Sequence, residues 1–290
     1  MTAHATAAAV ASTQQAATSA NIAQAAQSAA VALTNQFQLI DARLLSLLLR
    51  MMLQIERVKR PTQAMLAPYR QKMHALIAEL QTQCATQCYD AVINAYNAGM
   101  KQAQIDLALA NLHTPNVAIA SLQKTHQRSM ALLSETATTR FDEVIGLLTK
   151  NSNVMFKSLQ LDIVARQIKG IDPVRQLANQ LYTNLMNNGI TAFKDRGGKR
   201  WGLKSYSEMA ARTITMEAQN RGQWNEYAAF GVDLVQVSSH ADACPKCRPF
   251  QGMVLSLTGT TPGYTTVLEA TEQGLWHPNC RHTTSLWIDD

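Results

Sequence analysis

Two short segments near the C-terminal end carry cysteines and histidines at a spacing that suits a metal ion. The first is Cys244-Pro-Lys-Cys247, and the second is His277-Pro-Asn-Cys280-Arg-His282. Two thiolates on one tight turn can form one edge of a tetrahedral Zn²⁺ site, and a cysteine and a histidine from a second segment can complete it. The pattern therefore predicts a zinc site with Cys244, Cys247 and Cys280 as thiolate ligands and with His282 or His277 as the fourth ligand.

The predicted role of this metal is structural. The segment between the two motifs is too short to bury much apolar surface, so a bound ion would supply stability that the core cannot. Two alternatives stay open: a metal-free knuckle held by hydrogen bonds, and a disulfide. We expect the chain to be made in a reducing cytoplasm, where its five cysteines are thiols or metal ligands rather than disulfides. His240 is a weaker candidate ligand.

The sequence predicts no catalytic residues. Nucleobase deaminases pair Pro-Cys-x-x-Cys with an upstream His-x-Glu, but Ala243 precedes Cys244 and no histidine is followed two places later by Glu. The zincin motif, the Walker loop, the dinucleotide-binding glycine motif and the nucleophile elbow are also missing from the sequence. Neither Cys244 nor Cys280 has the sequence context of a catalytic thiol, and nothing marks Asp242, Glu269 or Glu272 as a general base.

A second group of residues could contact phosphates. Basic side chains crowd a glycine-containing loop that also holds a tryptophan: Lys194, Arg196, Lys199, Arg200, Lys204 and Trp201. Such a loop can bind a nucleic-acid backbone, with Trp201 stacked on a base. The alternative is a solvated turn whose tryptophan belongs to the core. Nothing in the loop indicates sequence-specific recognition of bases.

The remaining cysteines and several histidines are predicted to be structural. Cys84 and Cys88 lie four positions apart and continue the apolar face of a helix, where a buried cysteine behaves as a small hydrophobe. His74, His113 and His126 have no ligand-type neighbours in the sequence. We therefore expect these three histidines at helix surfaces or in the core.

Long helices are predicted to carry these groups. Apolar residues recur every three or four positions from Leu33 to Val58, again from Met73 to between Gly99 and Leu112, and from Val117 to Lys150. Shorter patterns cover 154–168 and a helix that starts at Asp172-Pro173, carries Leu177, Leu181 and Leu185, and ends near Gly189. A last helix is predicted from Tyr206 to about Phe230, followed by a strand over 232–237.

These patterns predict a mainly α fold with four regions. Residues 1–32 form an Ala/Gln/Ser/Thr-rich arm that buries too little apolar surface to offset its ordering entropy, so we expect it to be flexible unless a partner orders it. Residues 33–193 form a long-helix region that docks on partners, and 194–230 hold the basic loop and a helix. Residues 231–290 form a small α+β, knuckle-like Cys/His module.

Composition limits the class of protein. Only 16% of residues are charged while 47% are apolar, which suits helices that bury long faces against neighbours. The formal net charge of +6 is compatible with nucleic acid or an acidic partner, although many proteins are equally basic. The most hydrophobic stretch, 44–53, is interrupted by Arg50 and is too short to span a membrane, and no targeting segment is evident. We expect a soluble protein with no membrane contact and no small-molecule substrate.

The C-terminal third resembles the phage minor capsid protein 2 family and the related MuF-like head-morphogenesis proteins. The resemblance lies in the order of the motifs from about residue 160 to 286. It begins with the helix opening Tyr206-Ser-Glu-Met-Ala-Ala-Arg-Thr213 and continues through Gly231–His240, Cys244-Pro-Lys-Cys247 and Pro249-Phe-Gln-Gly252. It then passes through Val254–Leu257 and closes with His277-Pro-Asn-Cys280-Arg-His282.

The resemblance implies a structural minor head protein of a tailed phage or prophage, not an enzyme. Such a protein would be made in the bacterial cytoplasm, enter the head with the portal protein, contact major capsid or scaffolding protein, and lie inside the shell near packaged double-stranded DNA. Two rival functions are a phage-delivered, nucleic-acid-acting effector enzyme that uses the Cys/His cluster, and a helical adaptor unrelated to phage.

Overall fold

A computed structural model describes residues 2–58, 62–169, 192–194 and 198–288. It confirms the mainly α fold, with long helices followed by a small region of strands around the Cys/His cluster. The helices are α1 (Thr2–Arg57), α2 (Ala67–Leu109), α3 (Ile119–Lys169), α4 (Leu203–Ala229) and the short α5 (Val267–Glu272). The strands are β1 (Ala192–Lys194), β2 (Arg200–Gly202), β3 (Leu234–Val237), β4 (Val254–Ser256) and β5 (Thr284–Leu286).

The first helix is longer than the apolar pattern indicates. α1 includes the Ala/Gln/Ser/Thr-rich arm and continues without a break through the predicted helix at Leu33. Alanine and glutamine are good helix formers, so the backbone of the arm can be helical even though its side chains offer little apolar surface. The flexibility of the arm outside an assembly stays a prediction. The helix predicted from Asp172 to Gly189 lies outside the described residues.

α3 corrects the predicted break after Lys150. One continuous helix covers both predicted segments, although Asn151, Ser152 and Asn153 are individually weak helix formers. The Ser152 hydroxyl is buried and donates to the Thr149 carbonyl at 3.0 Å. The Asn153 amide oxygen lies 3.0 Å from Nε2 of His74 on α2. Leu148 and Phe156, on either side of these residues, are buried, so packing of the apolar face stabilises the helix here despite the low propensity of the three residues.

The chain forms two compact units. The helical unit comprises Leu33–Thr86 and Thr138–Glu208, and the mixed unit comprises Met1–Ala32, Gln87–Ala137 and Met209–Asp290. The core of the helical unit is apolar: the rings of Phe37 and Phe141 are 4.9 Å apart, and Tyr206 meets Phe141 edge to face at 6.4 Å. The stripe of α1 predicted from the spacing supplies much of this core, with buried Leu33, Phe37, Ile40, Leu44, Met51 and Ile55. Leu47 and Val58, which the spacing also predicted in this stripe, are only half-buried, and Leu48 is buried instead of Leu47.

The mixed unit holds a three-stranded antiparallel sheet in the order β4-β3-β5. Leu234 pairs with Ser256 of β4, and Val237 pairs with Thr284 of β5. The hydrophobic core under this sheet also includes residues of α2 and α4, among them Leu107 and Tyr227. The three-stranded sheet therefore begins after α4, while its hydrophobic core extends back into α2 and α4.

Two glycines bring α2 and α4 into backbone contact within the mixed unit. A Cβ added at Gly99 would overlap the carbonyl oxygen of Gln219, and one added at Gly222 would overlap that of Tyr96. No other residue type fits at such a crossing without moving a helix. This close approach lets short polar side chains on the two helices reach each other.

None of the described helices is long and apolar enough to cross a membrane.

Candidate metal centre and its surroundings

The first Cys/His segment is a tight turn after β3. The amides of Cys247 and Arg248 both donate to the Cys244 carbonyl, at 3.1 and 2.9 Å, which folds the Cys-x-x-Cys segment back on itself. A single turn of 3₁₀ helix, Arg248–Phe250, follows, and its Phe250 side chain is buried in the core. The turn holds both thiols at one edge of the sheet region.

The second segment is held by Trp276. This residue adopts a left-handed backbone conformation, with φ of 55°, and its indole N–H donates to the His282 carbonyl at 2.9 Å. Between the two, the Cys280 amide donates to the His277 carbonyl at 2.8 Å. The buried Trp276 side chain thus fixes the loop that carries His277, Cys280 and His282.

The structure brings all five predicted ligands together. The Cys244 sulfur lies 2.9 Å from His277 Nε2, the sulfurs of Cys247 and Cys280 are 3.6 Å apart, and the Cys280 sulfur is 3.3 Å from His282 Nδ1. They form two groups of three donors, Cys244/Cys247/His277 and Cys247/Cys280/His282, and within each group the donor atoms lie within 4.8 Å of one another. Either group could hold a metal ion, and Cys247 belongs to both.

The donor set fits zinc in its chemistry, and the separation of two of its sulfurs fits zinc in spacing. Zinc in structural sites is bound by cysteine sulfur and histidine nitrogen, and Zn–S bonds of about 2.3 Å at tetrahedral angles place two sulfurs about 3.8 Å apart. The 3.6 Å between Cys247 and Cys280 is close to that value. All five cysteines of the chain, each within the described residues, are free thiols, so no disulfide joins them.

The two histidine candidates differ in their surroundings. His277 Nδ1 lies 2.7 Å from the Pro278 carbonyl, an arrangement that leaves Nε2 facing Cys244 and is typical of metal-binding histidines. His282 is buried, and among the described residues nothing bonds its Nε2. The ring of His240 stands 4.8 Å from that of His282, but its Nε2 lies 3.1 Å from the Ser238 hydroxyl and 3.2 Å from the Arg281 carbonyl. His240 therefore lies beside the cluster and belongs to neither donor group.

The electrostatics differ between the two cysteines of the first turn. A hydrogen bond from the Cys247 amide, aided by the imidazole of His277, lowers the pKa of the Cys244 thiol to about 7. Burial, together with the nearby Cys280, raises the pKa of Cys247 well above its usual value. Burial also lowers the pKa of His282, and neighbouring His240 and His277 act in the same direction. Neutral imidazole and thiolate are the forms that bind metals, so the shifts at His282 and Cys244 favour metal binding, whereas Cys247 must lose its proton when a metal binds.

The cluster lines a cleft of about 220 Å³ that Asp242 and Arg281 border. Their side chains are 78% and 69% exposed, and the charged atoms are 3.8 Å apart. Neither Glu269 nor Glu272 lines this cleft: Glu269 is bound in the capping box of α5, where it accepts from Thr266. The described surroundings of the cluster therefore place no buried carboxylate beside it to act as a base.

The predicted phosphate-binding loop is partly described. β1 and β2 form an antiparallel hairpin in which Lys194 pairs with Arg200. The Lys199 ammonium lies 4.0 Å from the centre of the Trp201 ring, and Trp201 meets Tyr206 edge to face at 6.0 Å. Lys199, Arg200 and Lys204 are exposed, whereas Arg196 and the side chain of Lys194 lie outside the described residues.

The mixed unit also contains a buried polar network that the sequence analysis did not predict. His126 on α3 was expected at a helix surface or in the core. Both of its ring nitrogens are hydrogen-bonded: Nε2 lies 2.9 Å from the Glu226 carboxylate, and Nδ1 lies 2.9 Å from the Tyr96 hydroxyl. Asn225 bonds the same hydroxyl at 2.7 Å, and Gln104 donates to Glu226 at 2.9 Å. Burial raises the pKa of Tyr96, which keeps its hydroxyl protonated. Spacing could not predict the network because its members are far apart in the chain.

The other predicted core residues are buried. Cys84 is 2% exposed and Cys88 is fully buried, as expected for small hydrophobes in a helix face. His74, in contrast, is exposed and reaches Asn153.

Comparisons with known proteins agree with the order of motifs in the C-terminal third. The profile of the family described as phage minor capsid protein 2 matches residues 59–290. A protein of Lactococcus phage LL-H described as "Structural protein" is 25% identical over 107 residues, which are 34% of this chain and 29% of that protein. This chain thus spans less than a third of that relative's length. No solved structure shows significant similarity. Because the family profile covers most of the sequence, the chain belongs to the phage minor capsid protein 2 family.

Proposed function

We propose that this chain is a structural protein of a tailed-phage head that is incorporated with the portal during assembly. The family match over residues 59–290 is the observation that carries the proposal. Its work is mechanical and not catalytic. Long helices dock on portal, major capsid or scaffolding subunits, and the β-rich region provides a rigid end in the interior of the head.

The Cys/His cluster holds a structural zinc ion in this proposal. Cys244, Cys247 and Cys280 are three of its ligands, and His277 or His282 is the fourth. The support comes from the donor types, from the 3.6 Å between two sulfurs and from the buried, unbonded Nε2 of His282. A bound zinc ion cross-links two loops that the small sheet alone holds weakly.

The basic hairpin contacts packaged DNA through the phosphate backbone. Exposed Lys199, Arg200 and Lys204 supply the charge. Stacking of a base on Trp201 is the less favoured form, because the Lys199 ammonium already covers one face of that ring.

Purified phage particles and empty procapsids test the proposal. We expect mass spectrometry to find the chain in both at low copy number, and deletion of its gene to reduce the yield of filled heads. Cys244→Ser should give the same loss when the zinc site is needed for assembly. Cys84→Ala, which removes a thiol from an apolar helix face without burying a hydroxyl, is the control for thiol removal elsewhere. Absence of the chain from both particles would refute a structural role in the head.

A further inference from the structure

The helical unit carries a second surface that its own core does not use. On α1, four leucines opposite the buried face are between 41% and 54% exposed: Leu39, Leu45, Leu49 and Leu53. Residues three or four apart lie on the same side of a helix, so Leu45, Leu49 and Leu53 form one stripe. Large apolar side chains exposed in a row are typical of protein-binding surfaces.

A row of arginines borders this stripe. Arg43, Arg50 and Arg57 are spaced by seven residues, which places them on one side of α1 about 10 Å apart. All three are exposed. Leu39 and Leu53 alternate with them on the same side at spacings of three and four, so the apolar and basic rows adjoin.

A groove between α1 and α2 continues the basic row. It has a volume of about 400 Å³, and Arg43, Arg50, Leu47, Lys72, Leu76 and Glu79 are among the residues that line it. Glu79 is bound to Arg43. Among the described side chains no carboxylate pairs with Arg50 or Lys72, so the groove presents unpaired positive charge above an apolar floor.

We infer that this face of the helical unit, the leucine stripe with its arginine row and groove, binds an acidic amphipathic helix of another head protein. The inference rests on the proposed function, because a head protein must dock on a partner. Leucines at helical spacing receive the apolar side of such a helix, and Arg50 and Arg57 pair with its flanking carboxylates, since Arg43 is already bound to Glu79.

The charge distribution selects this occupant over two others. A second copy of this chain would bring arginines against arginines, which disfavours self-association through this face. A nucleic-acid backbone would satisfy the arginines but would leave the four leucines in water, whereas an acidic amphipathic helix satisfies both.

The test uses the full-length chain and a labelled synthetic peptide of about 20 residues, long enough to be helical when bound. The peptide has leucines on one side and glutamates along both flanks; its twin has lysines in place of the glutamates. By fluorescence anisotropy we expect a Kd on the order of 10 µM for the glutamate peptide and binding at least about tenfold weaker for the lysine twin.

Charge exchange makes the result specific. The double variant Arg50→Glu/Arg57→Glu should reverse the preference between the two peptides. Leu49→Ser should weaken the glutamate peptide about tenfold, whereas Leu161→Ser, at a leucine of α3 that is 62% exposed, should leave it unchanged. Thermal melting checks that each variant is folded. We expect unchanged melting temperatures, because all these side chains are exposed.

Four outcomes would overturn the inference. Two concern the peptides: the glutamate peptide does not bind at about 100 µM, or both peptides bind equally well. The third is that neither peptide binds while the chain binds DNA and the charge variant does not. The fourth is that the chain self-associates and Leu49→Ser abolishes the self-association. The proposed function is judged separately. If the chain is found in phage heads but does not bind the peptide, only the docking surface is refuted. If it binds the peptide but is absent from heads, the proposed head function is refuted.

Discussion

The two compact units are stabilised in different ways. The helical unit buries long apolar faces in which Phe37 and Phe141 pack ring to ring, and its described ion pair, Arg43–Glu79, lies at the surface. The mixed unit buries the His126–Glu226 pair, brings two helices together at glycines and gathers five thiol and imidazole groups in one cluster.

The difference determines how each unit responds to a substitution. In the helical unit, stabilisation is distributed over many apolar contacts. Its ion pair Arg43–Glu79 is exposed, so the loss of one member changes the stability little. A buried polar group depends on particular partners and is costly when one of them is removed. We therefore expect substitutions at the buried polar groups of the mixed unit to cost more stability than substitutions at the exposed ion pair of the helical unit.

The largest expected effect is that of Glu226→Ala. It removes the carboxylate that His126 and Gln104 bond, and it leaves His126 Nε2 buried without its partner, whereas exposed Gln104 can bond water instead. Removal of one member of a buried pair destabilises proteins by about 3–5 kcal/mol, which urea denaturation would measure. Glu79→Ala is the control, since its exposed partner Arg43 remains hydrated. Equal effects of the two substitutions would remove the contrast.

The next prediction concerns two helical glycines, at which substitution by alanine should change the free energy of unfolding in opposite directions. In Gly222→Ala the new methyl group meets the Tyr96 carbonyl, so we expect a loss of about 1–3 kcal/mol from the forced separation of α2 and α4. Gly146→Ala on α3 meets nothing within 4 Å and should gain about 0.5–1 kcal/mol of helix propensity. Thermal melting of both variants is the measurement, and stabilisation by Gly222→Ala would show that the helices are not in backbone contact.

The smallest effect concerns Asp233, which organises the loop after β4. Its carboxylate accepts from Ser256, Thr258 and Thr261. Burial acts to raise its pKa, but these hydrogen bonds together lower the pKa below the usual value of 3.8. The carboxylate therefore contributes stability above pH 3.8, and this contribution is lost as the pH falls through the lower folded-state pKa.

Asp233→Asn should cost about 1 kcal/mol at pH 7, because an amide oxygen is a weaker acceptor than a carboxylate. The difference from the parent chain should shrink in melting experiments as the pH falls below about 4. Glu272→Gln, at an exposed residue of α5, is the control. A difference that stays constant with pH would show that the Asp233 hydrogen bonds do not depend on its charge.

The sequence predicted those features that depend on local spacing. The buried stripe of α1 from Leu33 to Ile55 follows from a period of three to four residues. The five cysteine and histidine residues of the candidate metal centre could be named because each half of the cluster lies in a short segment. The structure adds that Cys247 belongs to both donor groups.

Features that depend on distant contacts could not be predicted. The apolar pattern stops at Lys150 and resumes at residue 154, which predicted two helices, but α3 is continuous and its contacts there, such as His74–Asn153, come from another helix. His126 has no ligand-type residue nearby in the sequence, while its partners Tyr96 and Glu226 lie on two other helices. Three-dimensional packing determines both features.

Metal analysis combined with hydrogen exchange tests whether a metal-bound Cys/His cluster stabilises the mixed unit while the helical unit is stabilised by apolar packing. We predict about one zinc ion per purified chain. Chelation should speed amide exchange over 234–286 and leave 138–158 unchanged. A metal-free chain whose exchange and melting ignore the chelator would contradict the claim, and the cluster would then be a knuckle held by hydrogen bonds such as Cys244–His277.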